Sequence, residues 1–277
     1  MSTIAPMWSW REFVERAGAP DTILDGSGRH GCSDWAGASW DGALALATTG
    51  WNVPVPEVDL AVAALRDDLS DRVGAPSLAP VRDVTGSEVD VAAYLTGVPE
   101  CMIEYEPRRL SSHGRVVTFL IPAVYSHTVP HTHVVNRGVA LAALCSAIVT
   151  AAHSVEVWSG YACSLYGAGR YSAVARVISA GEPLDVARLM FAMAHPAMLR
   201  RLWFGVWDSA EQSIAVRMQH SNYGKGAAGY DCTAGDLPGD LSGAYVFPYL
   251  VAGDQWRSPD TALAWCMTTF AALGLIA

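Results

Sequence analysis

The chain has 277 residues, 51% of them apolar and 16% charged, with a formal net charge of −9. That balance excludes a disordered polymer, which carries too little apolar surface to fold. It also argues against non-specific nucleic-acid binding, which needs a positive surface facing the phosphates. Lys225 is the only lysine, so Schiff-base or phosphate-loop chemistry has a single candidate. Gly224-Lys225-Gly226 lacks the Ser or Thr that should follow a phosphate-loop lysine. The six cysteines form no C-x-x-C pair and read as free, mostly buried thiols. Residues 1–10 lack the pattern of a secretory leader, and no apolar run is long enough to span a bilayer. A cytoplasmic protein without membrane contact is the expectation.

The front of the chain is rich in tryptophan. Residues 8–14 read as a short helix, and residues 25–31 (Asp-Gly-Ser-Gly-Arg-His-Gly) as a loop. A second helix starts after Ser39, a good N-cap, and stops at Gly50. Trp35, Trp40 and Trp51 read as anchors for this helix; the alternative is a stacking surface. Val58, Val62, Leu65 and Leu69 recur at helical spacing, and residues 88–96 predict a short helix before an extended stretch at 101–106. Residues 115–121 form a continuous apolar run, as a strand buried on both faces should. A histidine-rich loop, 126–133, precedes a helix predicted over 136–152 with Asn136 as its cap. Val155 to Trp158 is the next strand, and a connection of that length favours a parallel pairing. A strand over 171–179, helices over 184–194 and from His195-Pro196 onward, an edge strand over 244–250 and a last helix opened by Ser258-Pro259 complete the pattern.

The expected fold is therefore α/β, a mostly parallel open sheet flanked by helices of the Rossmann-like kind. A Trp-rich helical region (residues 1–106) precedes an α/β core (107–277), as a separate unit or as part of one domain. Ligands of such sheets sit at the carboxyl ends of the strands, which draws attention to Ser126, His127, His131, His133, Asn136 and Arg137. Imidazoles are common metal ligands, so His127, His131 and His133 are the candidates for a divalent metal; otherwise no cofactor is expected. No acid or thiol lies in that loop, and no G-x-S-x-G, H-E-x-x-H or S-x-x-K motif is present. Arg200 and Arg201, adjacent in an otherwise apolar helix, cannot both face the core. They read either as a clamp for an anion or as partners of an internal carboxylate. Arg108 and Arg109 form a second small basic patch.

The order strand, Tyr125-Ser126-His127-Thr128, long helix resembles that of von Willebrand factor A domains. Their oxygen-rich metal loop is not matched here. Residues 39–43 (Ser-Trp-Asp-Gly-Ala), Gly50-Trp51, Asp90-Val91, 97–102 (Gly-Val-Pro-Glu-Cys-Met), Asn136-Arg137-Gly138, Val155-Glu156-Val157 and 195–201 (His-Pro-Ala-Met-Leu-Arg-Arg) together resemble an uncharacterised family encoded by actinobacterial phages and mobile elements. That resemblance implies a phage or prophage origin and supplies no catalytic residues. The expected function is non-enzymatic binding of a protein partner, or assembly, with self-association compatible and nucleic acid not a partner. The alternative is a metal-dependent hydrolase or nuclease built on the histidine loop.

Overall fold

The computed structural model describes residues 2–70, 78–107, 115–126, 128–150, 153–165, 169–219, 232–241, 243–250 and 253–274. His127, Arg108, Arg109 and Gly224-Lys225-Gly226 lie outside the described residues. Strand β1 (Ser2–Thr3) is followed by helices α1 (Trp10–Gly18), α2 (Ser27–His30), α3 (Ser33–Ala36), α4 (Trp40–Thr49) and α5 (Val55–Ser70). Then come β2 (Leu78–Asp83), β3 (Glu88–Val89), α6 (Val91–Leu95) and β4 (Met102–Pro107). The central unit is β5 (Val116–Pro122), α7 (His131–Thr150), β6 (Ser154–Leu165) and β7 (Gly169–Ile178). Helix α8 (Val186–Ala194), a π-helical turn (Met198–Trp203), α9 (Phe204–Asp208), α10 (Gln212–Met218), β8 (Tyr245–Val246) and α11 (Pro259–Ala272) end the chain.

The strand-helix-strand unit expected around residue 115 is present. Strands β5 and β6 pair in parallel, from Val116 opposite Ser154 to Pro122 opposite Gly160. The principal sheet has the order β1-β7-β6-β5-β8, but it is mixed. Strand β6 pairs antiparallel with β7 along their whole shared length. The reason is the connection: three residues separate Leu165 from Gly169, enough for a hairpin and far too few for a crossover. The second sheet, β2-β4-β3, is antiparallel throughout. The architecture is thus mixed α/β: β1–β7, β5–β6 and β5–β8 pair in parallel, and the β6–β7 hairpin together with the antiparallel second sheet makes the whole mixed where a mostly parallel open sheet was expected.

Alternation along β5 separates two apolar layers. Phe119 and Ile121 face the large core with Val157 and Tyr161. Leu120 faces a smaller cluster with Trp158, Ala162, Val174 and Cys232. The large core runs from Met7 and Phe13 to Phe270, so the N-terminal helices share it. Helix α7 is its centre. Twelve of its 20 residues are buried, as a helix apolar on every side requires. Its length and hydropathy would suit a bilayer, but 67% of that apolar window is covered by the rest of the molecule.

Two local readings change. Residues 27–30 form the helical turn α2 instead of an open loop. Gly28 N donates to the Asp208 carboxylate at 2.8 Å, and a Cβ at Gly28 would lie 2.6 Å from Gly205 N. The glycine there permits two backbones to touch. Helix α7 begins at His131, five residues before the expected cap, so Asn136 sits within the helix and its Nδ2 donates to Trp256 O at 3.0 Å.

The predicted stop at Gly50 is present, with φ 74° and ψ 176°, a region that side chains other than hydrogen rarely adopt. A Cβ there would also lie 2.5 Å from that of Ala187. Gly50→Ala is expected to cost about 1–3 kcal/mol of stability, read as a lower urea midpoint with an unchanged slope.

Candidate functional site

Four stretches of chain, residues 34–37, Trp51, 125–131 and 195–200, meet beyond the carboxyl end of β5. Tyr125, three residues past that strand, bridges to Leu250. His131 opens α7, and His195 closes α8. Arg200 belongs to the π-helical turn. Asp34 and Trp35 come from α3, and Trp51 follows the turn at Gly50. With Gly37, Val129 and Pro196 these residues line a cavity of about 370 Å³, within the range of about 300–1,000 Å³ typical of small-molecule sites.

Each polar group in the cavity is set by its surroundings. His195 Nδ1 accepts the Ala197 N–H at 3.1 Å. In the neutral ring the proton therefore sits on Nε2, which is left as a donor. Burial, helped by the nearby His131, pushes the His195 imidazole down to about 4. Burial and the charge of Arg200 lower His131 as well. Burial raises the Tyr125 phenol, with Arg200 and Arg137 opposing it, so it stays protonated at neutral pH. The ring of Trp51 meets His195 edge-on at 4.9 Å and lies 6.5 Å from His131. The Arg200 guanidinium stacks 4.4 Å over Trp35, 5.9 Å from the Tyr125 ring, and donates to the Trp35 carbonyl.

Behind Tyr125 lies Arg137, 2% exposed. Its Nη2 donates weakly to Met193 O at 3.3 Å, while Nε and Nη1 have no partner among the described residues. Burial lowers this guanidinium to about 10, which leaves it charged at neutral pH. A buried cation without a counter-ion is costly. No described carboxylate pairs with Arg137 or Arg200. Asp34, the acid of the cavity, is exposed at its rim. Arg200 and two neutral imidazoles thus line a space whose one described acid, Asp34, is solvent-exposed and pairs with neither Arg200 nor the buried Arg137 behind Tyr125.

The residues singled out from the sequence divide. His131 and Arg200 line the cavity, and Arg137 lies behind its Tyr125 wall without lining it. Asn136 faces a second cavity on the other side of α7. Ser126 turns away to bond Thr128 at 2.9 Å. His133 is partly buried with Nδ1 unpartnered among the described residues, outside the cavity lining. Arg201 is structural: it donates to Ala38 O, Gly28 O and Ser33 Oγ at 3.0–3.2 Å and so braces the α2–α3 segment. Among the described residues neither arginine makes the expected ion pair with an internal carboxylate; the donors recorded for both go to carbonyl or hydroxyl oxygens. Among the described residues no three His, Cys, Asp or Glu side chains are grouped to hold a metal ion. The buried thiols of Cys145 and Cys163 are pushed up to about 12 and about 11 by burial, which removes them as nucleophiles at neutral pH. Tyr125 and His195 were not singled out as site residues from the sequence, and Trp35 and Trp51, read there mainly as helix anchors with a stacking surface as the alternative, both line the cavity.

A family model described as a domain of unknown function (DUF7192) matches residues 2–277. No curated protein and no solved structure matches the chain.

The His195 shift has a consequence for stability. An imidazole in the unfolded chain titrates near 6.5 and in the fold near 4, so the unfolded state binds the proton more tightly between those values. Stability is full above pH 6.5, falls as pH drops toward 4, and levels off below. His195→Asn, which keeps an acceptor for Ala197, is expected to flatten that part of the curve of unfolding midpoint against pH.

Proposed function

The chain belongs to the DUF7192 family, a domain of unknown function, and from its own site we propose that it is a binding protein for a small organic anion, a carboxylate or phosphate held in the cavity between Trp51 and Arg200. The observation that carries this is the buried, incompletely partnered Arg137 behind a cavity that already contains Arg200. An anion in that space supplies the missing negative charge, and charge-assisted hydrogen bonds are the strong ones. Arg200 offers a planar fork toward it. Tyr125 O–H and His195 Nε2–H are neutral donors suited to the remaining lone pairs. Neither imidazole is paired with a nucleophile among the described residues, which favours binding over metal-free hydrolysis. This keeps the sequence-based expectation of a non-enzymatic binder and moves its site from the 126–133 loop to the α7–α8 junction. In the phage-type setting that the sequence phrases imply, the ligand acts as a signal or as a fixed component of an assembly.

Isothermal titration against a panel of short organic carboxylates and phosphates at low salt tests this reading. Arg200→Gln is expected to weaken the best anion about 10- to 100-fold, the effect of about 1.5–3 kcal/mol for a hydrogen bond to a charged group. If no anion binds, or if Arg200→Gln leaves the affinity unchanged, the proposal falls.

Arg137→Met separates binding from structural roles. Replacing an unpaired buried charge with an apolar chain of similar length is expected to leave the unfolding midpoint equal or higher while weakening anion binding. A residue kept for structure alone gives the opposite result, a lower midpoint with no change in affinity.

A further inference from the structure

A second cavity, of about 520 Å³, lies on the other side of the Trp51–His131 pair, between α5, α7 and α11. Val53, Leu60, Ala64, Val135, Val139 and Leu263 give it apolar walls. Trp51 and His131 line both cavities, their rings 6.5 Å apart. The two spaces therefore share one partition of two side chains. One is cationic and rich in donors; the other is apolar, and Val53 and Leu60 on its walls are 76% and 72% exposed. Its acidic lining residues are Glu57 and Asp260, which repel an anion and leave Arg200 and Arg137 as the attractive end.

We propose that the two cavities form one site for an amphiphilic acid, with the anionic head beside Arg200 and an unbranched apolar tail across the Trp51–His131 partition in the α5–α7–α11 cavity. This rests on the anion-binding reading above and adds the ligand's tail. Charge fixes the direction: the tail cavity has two acids, Glu57 and Asp260, and no cation in its lining, whereas the head cavity sets Arg200 against a single exposed acid, Asp34. The edge of Trp51 and the ring of neutral His131 supply the boundary, each with an apolar body and a polar tip. Burying a methylene is worth enough that affinity should climb steeply with chain length until the tail cavity fills.

The test titrates the full chain with straight-chain carboxylates from acetate to dodecanoate, and with the matching alkyl phosphates, all below their micellar concentrations. Affinity is expected to rise roughly fourfold per added methylene over the middle of the series and then to plateau. Ala64→Phe, which places a ring in the tail cavity from the exposed side of α5, is expected to flatten this rise and leave acetate or inorganic phosphate binding unchanged. Leu60→Ser is the milder second variant, expected to lower the slope near the mouth, and it serves if Ala64→Phe does not fold. Arg200→Gln should weaken every member by a similar factor. Short anions that bind through Arg200 without any chain-length rise overturn the tail assignment and leave the anion-binding reading standing. A rise that neither Ala64→Phe nor Leu60→Ser reduces overturns it too, because the tail then lies elsewhere. If no carboxylate or phosphate of any length binds, both readings fall together.

Discussion

The burial of α7 is the constraint on which the rest of the structure depends. A 20-residue helix with twelve buried positions cannot lie on a surface without exposing most of its apolar wall. The parallel pair β5 and β6 flanks it in sequence, while α5, α8 and α11 cover its other sides. Its amino-terminal end reaches the surface at His131, while Arg137, six residues further in, is buried. That guanidinium is consequently a cation held in dehydrated surroundings.

Burial also explains the division of labour between the two adjacent arginines. The π-helical turn at Met198–Trp203 widens the helix by one residue and aims Arg200 and Arg201 to different sides. Arg201 is consumed by carbonyls of the α2–α3 segment. That brace holds Trp35 and Asp34 opposite His131 and makes the far wall of the cavity. Arg200 is left with a single carbonyl and two aromatic faces, contacts that orient the guanidinium without neutralising it. π-turns recur at functional sites, and here the turn separates a structural cation from one that faces an open space.

A cavity bounded by cations on one side of Trp51 and by hydrocarbon on the other has a built-in polarity. Neutral His131 and His195 keep the pocket from becoming a general anion trap at neutral pH. They contribute directed hydrogen bonds instead of net charge, which favours selectivity over affinity. Acidification charges these rings against Arg200 and against each other, so the same groups that shape the site tie its integrity to pH.

The sequence alone determined the secondary-structure skeleton wherever a local rule was strong. Ser39 and Gly50 bound α4, Ser258 caps α11, and the apolar run read over 115–121 is the strand β5, paired in parallel with β6. It also pointed to His131 and Arg137, because they follow the carboxyl end of a strand, and to Arg200, because a charge in an apolar helix needs a reason to be there. Tertiary structure decided what local pattern does not encode. The β6–β7 hairpin made the sheet mixed because a three-residue connection allows nothing else. The start of α7 moved to His131 because packing outweighed the capping preference of Asn136. The site itself drew Tyr125, Trp51 and His195 from positions up to 149 residues away from Arg200. A residue's role there follows from which distant side chain it faces in a dehydrated space, and spacing along the chain carries no record of that.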